Sequence, residues 1–150
     1  MQLDVKIEGT DKLNRATQEM REAVARELQI ALRAGGERVR DEAISSITEG
    51  NKSGRIYKRG NVTHRASAAG EAPANDTGRL AGSIQAIQKD NEALVIAGRG
   101  AVKYARFLEF GTERMAERPF MVPALEKNRA WIIERLQKAV RNAAIKAVKK

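Results

Sequence analysis

The sequence contains no cysteine, one histidine and three prolines, and aromatic residues make up only 4% of its 150 residues. Without a thiol, the chain has no disulfide scaffold, no thiolate zinc site and no cysteine nucleophile. No apolar run approaches the roughly 18–20 residues that a membrane span needs, and the first residues do not resemble a secretory signal. These absences favour a soluble intracellular protein with no membrane partner.

Residues that carry enzymatic chemistry are also scarce. His64 stands alone in a polar segment, and its first following carboxylate is Glu71. Glu109, Glu113 and Glu117 recur every four residues, but they have no histidine or cysteine with which to hold a metal. We therefore predict that the protein is not an enzyme and has no catalytic residue, no cofactor and no metal site.

One domain is expected over residues 1–150. A chain of this length buries about 68–70% of its unfolded surface, which is enough for one core. Its composition of 42% hydrophobic and 31% charged residues is typical of a globular protein. A wholly disordered chain is thereby excluded.

Positive charge dominates and is concentrated in two segments. The net charge is +9, yet residues 1–49 carry eight basic and ten acidic side chains. Residues 50–69 contain five basic residues, residues 135–150 contain six, and neither segment contains an acid. Such segments attract DNA, RNA or an acidic protein surface. Basic residues also complement the dipole at a helix C-terminus, and a basic loop also remains simply solvated.

A strand pattern and a long helical stripe come first along the chain. Residues 3–8 alternate apolar and polar side chains, which predicts a half-buried strand. Thr10 or Asp11 supplies a helix cap, and apolar residues then recur at helical spacing over residues 13–47. The Gly35–Gly36 pair costs about 1 kcal/mol per glycine within a helix. It indicates a kink, a break, or the close approach of another segment, and we favour the kink.

The middle of the chain combines a long loop with short elements. Residues 50–76 are small, polar and basic and show no period, which predicts a flexible basic loop that orders against a partner. Residues 77–83 predict a helical turn, and two apolar runs, 84–88 and 93–98, predict a β-hairpin. A short helix follows over residues 102–110 and ends at a glycine.

A long C-terminal helix is the clearest element. It is expected to start near Pro123, because proline is tolerated at the first helical position. Its predicted buried stripe consists of Leu125, Ile132, Leu136, Val140 and Ala147. The expected fold is α+β, in which a small antiparallel or mixed sheet of about three strands is packed by the long N-terminal and C-terminal helices.

Two motifs are more distinctive than these patterns. Residues 67–84 read S-A-A-G-E-A-P-A-N-D-T-G-R-L-A-G-S-I, and residues 104–112 read Y-A-R-F-L-E-F-G-T, with R-P-F at 118–120. In this order, across essentially the whole chain, they closely resemble the neck and tail-completion proteins of long-tailed phages and prophages, which join heads to tails. Ala72 stands where a second proline is common in that family.

The resemblance implies a structural morphogenesis protein, a small α+β subunit that assembles as a ring at the head–tail junction. The implied ring is a hexamer, and the implied partners are further copies of the chain, head-closure or connector proteins, tail-tube proteins and DNA passing through the channel. Assembly in the host cytoplasm and a final place in the virion neck or tail are expected. Tail terminator, neck and completion roles fit equally well.

Several residues of the basic loop and the motifs are expected to contact other subunits or neck proteins. They are Arg55, Lys58, Arg59, Arg65, Arg79, Tyr104, Glu109, Arg118 and Phe120. Structural turns are expected at Gly70, Pro73, Gly78, Gly111, Pro119 and Pro123.

Two of these expectations have explicit alternatives. Glu109 either pairs with an arginine such as Arg118 or is a solvated carboxylate. Of Phe107, Phe110 and Phe120, at least two are expected to pack in the core, and Phe120 is an interface anchor if it does not.

A different class of function also fits the charge. A basic nucleic-acid-binding accessory protein would use the loop and the C-terminal helix, and its affinity would fall steeply with salt. The sequence shows no helix-turn-helix, zinc finger or base-stacking platform, which counts against this alternative.

Overall fold

Two long helices frame the protein, and short helices and hairpins lie between them in the chain. The structure, a computed structural model, describes residues 10–100 and 102–148, so the predicted strand at residues 3–8 lies outside the described residues. The α+β fold is confirmed. In chain order the elements are α1 (Thr10–Thr48), β1 (Ile56–Arg59), β2 (Val62–Arg65), α2 (Arg79–Gly82), β3 (Gln85–Lys89), β4 (Glu92–Ile96), α3 (Ala105–Phe110) and α4 (Met121–Val148).

The two long helices pack against each other in antiparallel orientation. Lys127 near the start of α4 pairs with Glu42 near the end of α1 at 2.6 Å, and Lys146 near the end of α4 pairs with Glu27 at 2.7 Å. α1 has 39 residues and α4 has 28. The N-terminal part of α1 therefore projects beyond α4, and the described side chains of residues 12–22 are all exposed.

Small side chains line the contact between α1 and α4. Ala31 of α1 and Ala139 and Ala143 of α4 are no more than 6% exposed. Because an alanine side chain is a single methyl group, the two backbones can approach closely at these positions.

The stripe predicted for α4 is therefore only partly buried, with Ile132 packed against the core. Leu125 and Val140 are 44% and 43% exposed, Ile132 and Leu136 are half-buried, and the side chain of Ala147 lies outside the described part. The physical reason is that alanines allow closer packing than bulkier side chains, which leaves the larger residues at the margin of the contact.

The Gly35–Gly36 pair provides room for two neighbours of α1, which continues through it without a break. A Cβ on Gly35 would lie 3.3 Å from Ile132 Cγ1, and a Cβ on Gly36 would lie 3.3 Å from Ala93 Cβ. The first contact belongs to α4 and the second to the hairpin β3–β4. Of the interpretations considered for the glycine pair, these contacts support the close approach of α4 and of the hairpin β3–β4, and the unbroken helix excludes a break.

The two hairpins form separate two-stranded antiparallel sheets within the described residues. The hairpin β3–β4 was predicted, and its register runs from Gln85↔Ile96 to Lys89↔Glu92. The hairpin β1–β2 lies inside the segment that was predicted to be a loop, so that prediction was wrong for its strands. All of its strand residues except His64 are exposed, which explains why its sequence shows no apolar alternation.

The core lies at the C-terminal end of α1, where α2, α3 and the start of α4 meet. Phe120 and Ile47 are the largest side chains that are almost completely buried. The buried cluster comprises Val39, Ala43, Ile47, Leu80, Ala81, Ile84, Val102, Ala105, Phe120 and Ala124.

Gly36→Leu is expected to lower the free energy of unfolding by about 1–3 kcal/mol, because the added side chain overpacks the contact with β3–β4. Ala25→Leu, at an exposed position of the same helix, is the matched control and should change stability by no more than about 0.5 kcal/mol. Urea unfolding followed by circular dichroism measures both. Equal stability of the two variants would show that the hairpin does not pack tightly on Gly36.

Candidate functional site

The carboxylate of Glu109, at the end of α3, is buried against the start of α4. Its Oε2 accepts hydrogen bonds from the backbone N–H groups of Phe120 and Met121 at 2.8 and 3.0 Å, and its Oε1 accepts one from Val122 at 2.8 Å. The residue as a whole is 7% exposed. Glu109 thus caps α4 from another helix.

This cap satisfies the whole N-terminus of α4. The first four N–H groups of an α-helix have no partner within the helix. Counted from Phe120, which directly precedes α4, the first three of these N–H groups donate to Glu109. The fourth position is Pro123, which has no N–H to satisfy. A negative charge at this end is also favourable because it opposes the positive end of the helix dipole.

Three predictions about this junction need correction. Glu109 neither pairs with Arg118 nor lies in solvent, because it binds backbone N–H groups eleven to thirteen residues further along the chain. Pro123 is the third residue of α4 rather than its first. Phe120 is 1% exposed in the subunit's own core, so its side chain is not available as an interface anchor.

A tight turn at Gly111 brings Glu109 to the start of α4. Gly111 has φ 70°, and a Cβ there would lie 2.8 Å from the carbonyl oxygen of Met115. Thr112 and Met115 bond to each other across the turn, and the N–H of Arg118 donates to the carbonyl of Leu108 at 2.6 Å. The turn therefore requires glycine, both for its positive φ and for the space it leaves.

The first motif is tied to this junction by one backbone hydrogen bond and one side-chain hydrogen bond. The N–H of Gly70, which has φ 77°, donates to the carbonyl of Glu117 at 2.9 Å. The Nε of Arg118 donates to the carbonyl of Ser67 at 3.3 Å. Pro73 is buried, Pro119 is half-buried, and Gly78, with φ 74°, precedes α2. The two motifs thus form one structural unit.

Glu71 of the first motif fixes the segment that leads into β1. Its carboxylate accepts hydrogen bonds from the hydroxyl and N–H of Ser53 and from the N–H of Ala68. These hydrogen bonds lower the pKa of Glu71 to about 2. The bond from the Ser53 hydroxyl has the largest effect, followed by those from the N–H groups of Ala68 and Ser53. This network anchors the base of the hairpin β1–β2.

A second contact attaches the hairpin along one face. Asp76 contacts Arg59 Nη1 at 2.6 Å and His64 Nε2 at 3.2 Å. The ring of Tyr57 stacks on His64 with centroids 5.7 Å apart. The carboxylate beside His64 is therefore Asp76, which the sequence analysis did not consider.

The opposite face of the hairpin carries exposed cations. Lys58 and Arg65 alternate with the anchored residues along β1 and β2, and both are exposed, as is Arg55 just before the hairpin. Arg79, on α2, is exposed as well. These four residues remain predicted contact residues.

Three aromatic side chains are exposed beside the buried Glu109. Tyr104 is 43% exposed, Phe107 53% and Phe110 68%. The expectation that at least two of the three phenylalanines lie in the core was wrong, because only Phe120 does so. Tyr104, Phe107 and Phe110 are called the α3 aromatic surface below. The three-residue spacing of these aromatics within a short helix was the signal that would have identified it.

The chain belongs to the HK97-gp10-like family of phage tail components. The family's sequence model, described as "Bacteriophage HK97-gp10, putative tail-component", matches residues 11–111, which is more than half of the chain. The match ends at the glycine that turns the chain towards α4. No curated protein and no solved structure gives a significant match. The predicted relation to phage neck and tail-completion proteins is thereby confirmed at the level of the family.

Among the described residues, no helix is both long and apolar enough to cross a membrane, and no group of three or more potential ligands is placed to hold a metal ion. A structural role in the phage tail is the function class to which the family points.

Glu109→Ala is expected to lower the free energy of unfolding by at least about 2 kcal/mol, since each buried N–H left without an acceptor costs about 1–3 kcal/mol. Glu113→Ala, an exposed carboxylate in the adjacent turn, is the control and should have an effect within about 0.5 kcal/mol. Chemical denaturation measures both. Similar stabilities for the two variants would contradict the capping role.

The lowered pKa of Glu71 predicts a pH effect. Its carboxylate is favoured in the folded state, so its contribution is complete above about pH 4.5 and is lost as the pH falls towards about 2. Over this range, the stability of the wild type should fall more steeply than that of Glu71→Gln. Glu113→Gln, the control, should keep the wild-type slope. Parallel profiles for wild type and Glu71→Gln would exclude the anchoring role.

Proposed function

We propose that the protein is a ring-forming structural subunit, a tail-completion or terminator-like component that completes the phage tail at the head–tail junction. It acts through its surfaces rather than as an enzyme. The observation that carries this proposal is the α3 aromatic surface. Half of the six aromatic residues of the chain lie there, each at least 43% exposed.

The α3 aromatic surface has the properties of an assembly contact. Tyrosine and phenylalanine are enriched at protein interfaces, and tyrosine is among the residues that carry most of the binding energy there. α3 is held on both sides, by Ala105 in the core and by the Glu109 cap on α4. The aromatics are thus presented on a fixed support, and little conformational entropy is lost when they bind.

A second, different apolar surface favours a ring over a two-fold dimer. Ile133 and Val140 of α4 are seven residues apart, which places them on the same side of the helix, and they are 49% and 43% exposed. When one surface of a subunit binds a different surface of the next, the contact is heterologous, and rings form wherever the rotation closes. A two-fold dimer needs only one self-complementary surface.

The partners proposed for the ring are further copies of the chain, six in the complete ring, together with head-closure or connector proteins on one side and tail-tube proteins on the other. The virion neck or tail is the proposed location, after assembly in the host cytoplasm. Family membership supports contacts with other phage structural proteins.

Nucleic-acid binding is the second candidate, and the hairpin β1–β2 is the observation that favours it. Lys58 and Arg65 extend from its unanchored face, with Arg55 at its base. Within a ring this face would meet DNA in the channel. Phosphate contacts of this kind are salt-dependent, so Lys58→Glu/Arg65→Glu should abolish any binding of short duplex DNA at low salt and leave ring formation intact.

Light scattering across concentration tests the ring. The wild type is expected to reach a hexamer mass with or without duplex DNA, and Phe107→Ser/Phe110→Ser is expected to remain a folded monomer. Ile56→Ser, at a hairpin position of similar exposure (53%), is the control and should assemble. A wild type that stays monomeric at all concentrations, or a double variant that assembles normally, would contradict the proposal.

A further inference from the structure

The hairpin β3–β4 has an apolar face on each side. Ala86, Ala93 and Val95 face α1 at Gly36. Strand residues alternate between faces, so Ile87, Leu94 and Ile96 lie on the opposite face, where Ile87 pairs with Leu94 across the strands. Leu94 is 43% exposed, and Ile87 and Ile96 are half-buried. This side is called the outer hairpin face below.

The hairpin also has unpaired strand edges. β3 and β4 pair only with each other among the described strands, so within the described part of the chain each strand has one edge without a strand partner. Such an edge is a template for an additional strand. An added strand with apolar residues at alternate positions would extend the outer hairpin face.

Residues 3–8 have the sequence of such a strand. Leu3, Val5 and Ile7 alternate with Asp4, Lys6 and Glu8, so a strand here has one apolar face and one charged face. The hairpin β1–β2 offers no comparable apolar surface, because its unanchored face carries cations.

Distance prevents this segment from lying alongside the residues of its own chain's hairpin that contact Gly36. The helix from Thr10 to Gly36 is continuous, and its 26 steps of about 1.5 Å span about 39 Å. Leu3 is seven residues before Thr10, and seven extended residues span at most about 25 Å. Even a fully extended segment would leave Leu3 roughly 14 Å short of Gly36, measured along the helix.

We propose that residues 3–8 of one subunit add as a strand to an open edge of the β3–β4 hairpin of a neighbouring copy, with Leu3, Val5 and Ile7 extending the outer hairpin face. The exposed, projecting N-terminal part of α1 carries the segment away from its own subunit towards the next one. This inference rests on the proposed ring, because it describes how adjacent subunits are joined.

Cross-linking tests the contact directly, because the chain has no cysteine of its own. Val5→Cys/Leu94→Cys places one thiol on the donated strand and one on the outer hairpin face. Treatment with a short bis-maleimide at assembling concentration is expected to give a ladder of covalent multimers on a denaturing gel. The control Lys6→Cys/Leu94→Cys has its first thiol on the opposite face of the strand and should give at least a tenfold weaker ladder. Neither single-cysteine variant should give more than a dimer.

Light scattering on the same samples separates this inference from the proposed function. A hexamer without the ladder, or with a cross-link confined to one chain, would overturn strand donation while the ring proposal stands. Failure of the wild type to assemble would contradict both. Deletion of residues 2–8 should yield a folded monomer, and a deletion variant that still forms the hexamer would also overturn strand donation.

Discussion

The hydrogen bonds between the Glu109 carboxylate and the start of α4 are the interaction on which the rest of the structure depends. They join α3 to α4, they satisfy a helix end that lies against the core, and they place Phe120 inside it. The turn at Gly111 has a positive φ and a close backbone contact that only glycine permits. It allows the Glu109 carboxylate to reach residues eleven to thirteen positions further along the chain. One buried charge therefore determines where the aromatic side chains of α3 are presented.

The exposed apolar surfaces follow from the same constraint. Because Glu109 faces inwards, Phe107 and Phe110 are left exposed to solvent. The alanine contact between α1 and α4 acts similarly, since close packing leaves Val140 and its apolar neighbours at the margin. The hairpin β3–β4 adds a third apolar surface. These exposed apolar surfaces are the ones that the proposed assembly would bury.

Local patterns in the sequence predicted local structure well. The hairpin β3–β4, the helical turn of α2 and the end of α3 at Gly111 were all identified from spacing, turn residues and glycine. Non-local partners were not predictable in this way. Nothing near Glu109 in the sequence indicates that its partners are the N–H groups of α4, and Asp76 is likewise twelve residues from His64. The hairpin β1–β2 has exposed residues on both faces and so lacks the alternation by which strands are recognised.

The central claim is that the α3 aromatic surface becomes buried when subunits assemble. Hydroxyl-radical footprinting of the isolated and assembled protein measures the solvent exposure of individual aromatic side chains. The account predicts that oxidation of Phe107 and Phe110 falls strongly on assembly, while Phe120 remains protected in both states. Undiminished oxidation of Phe107 and Phe110 in a fully assembled ring would contradict it.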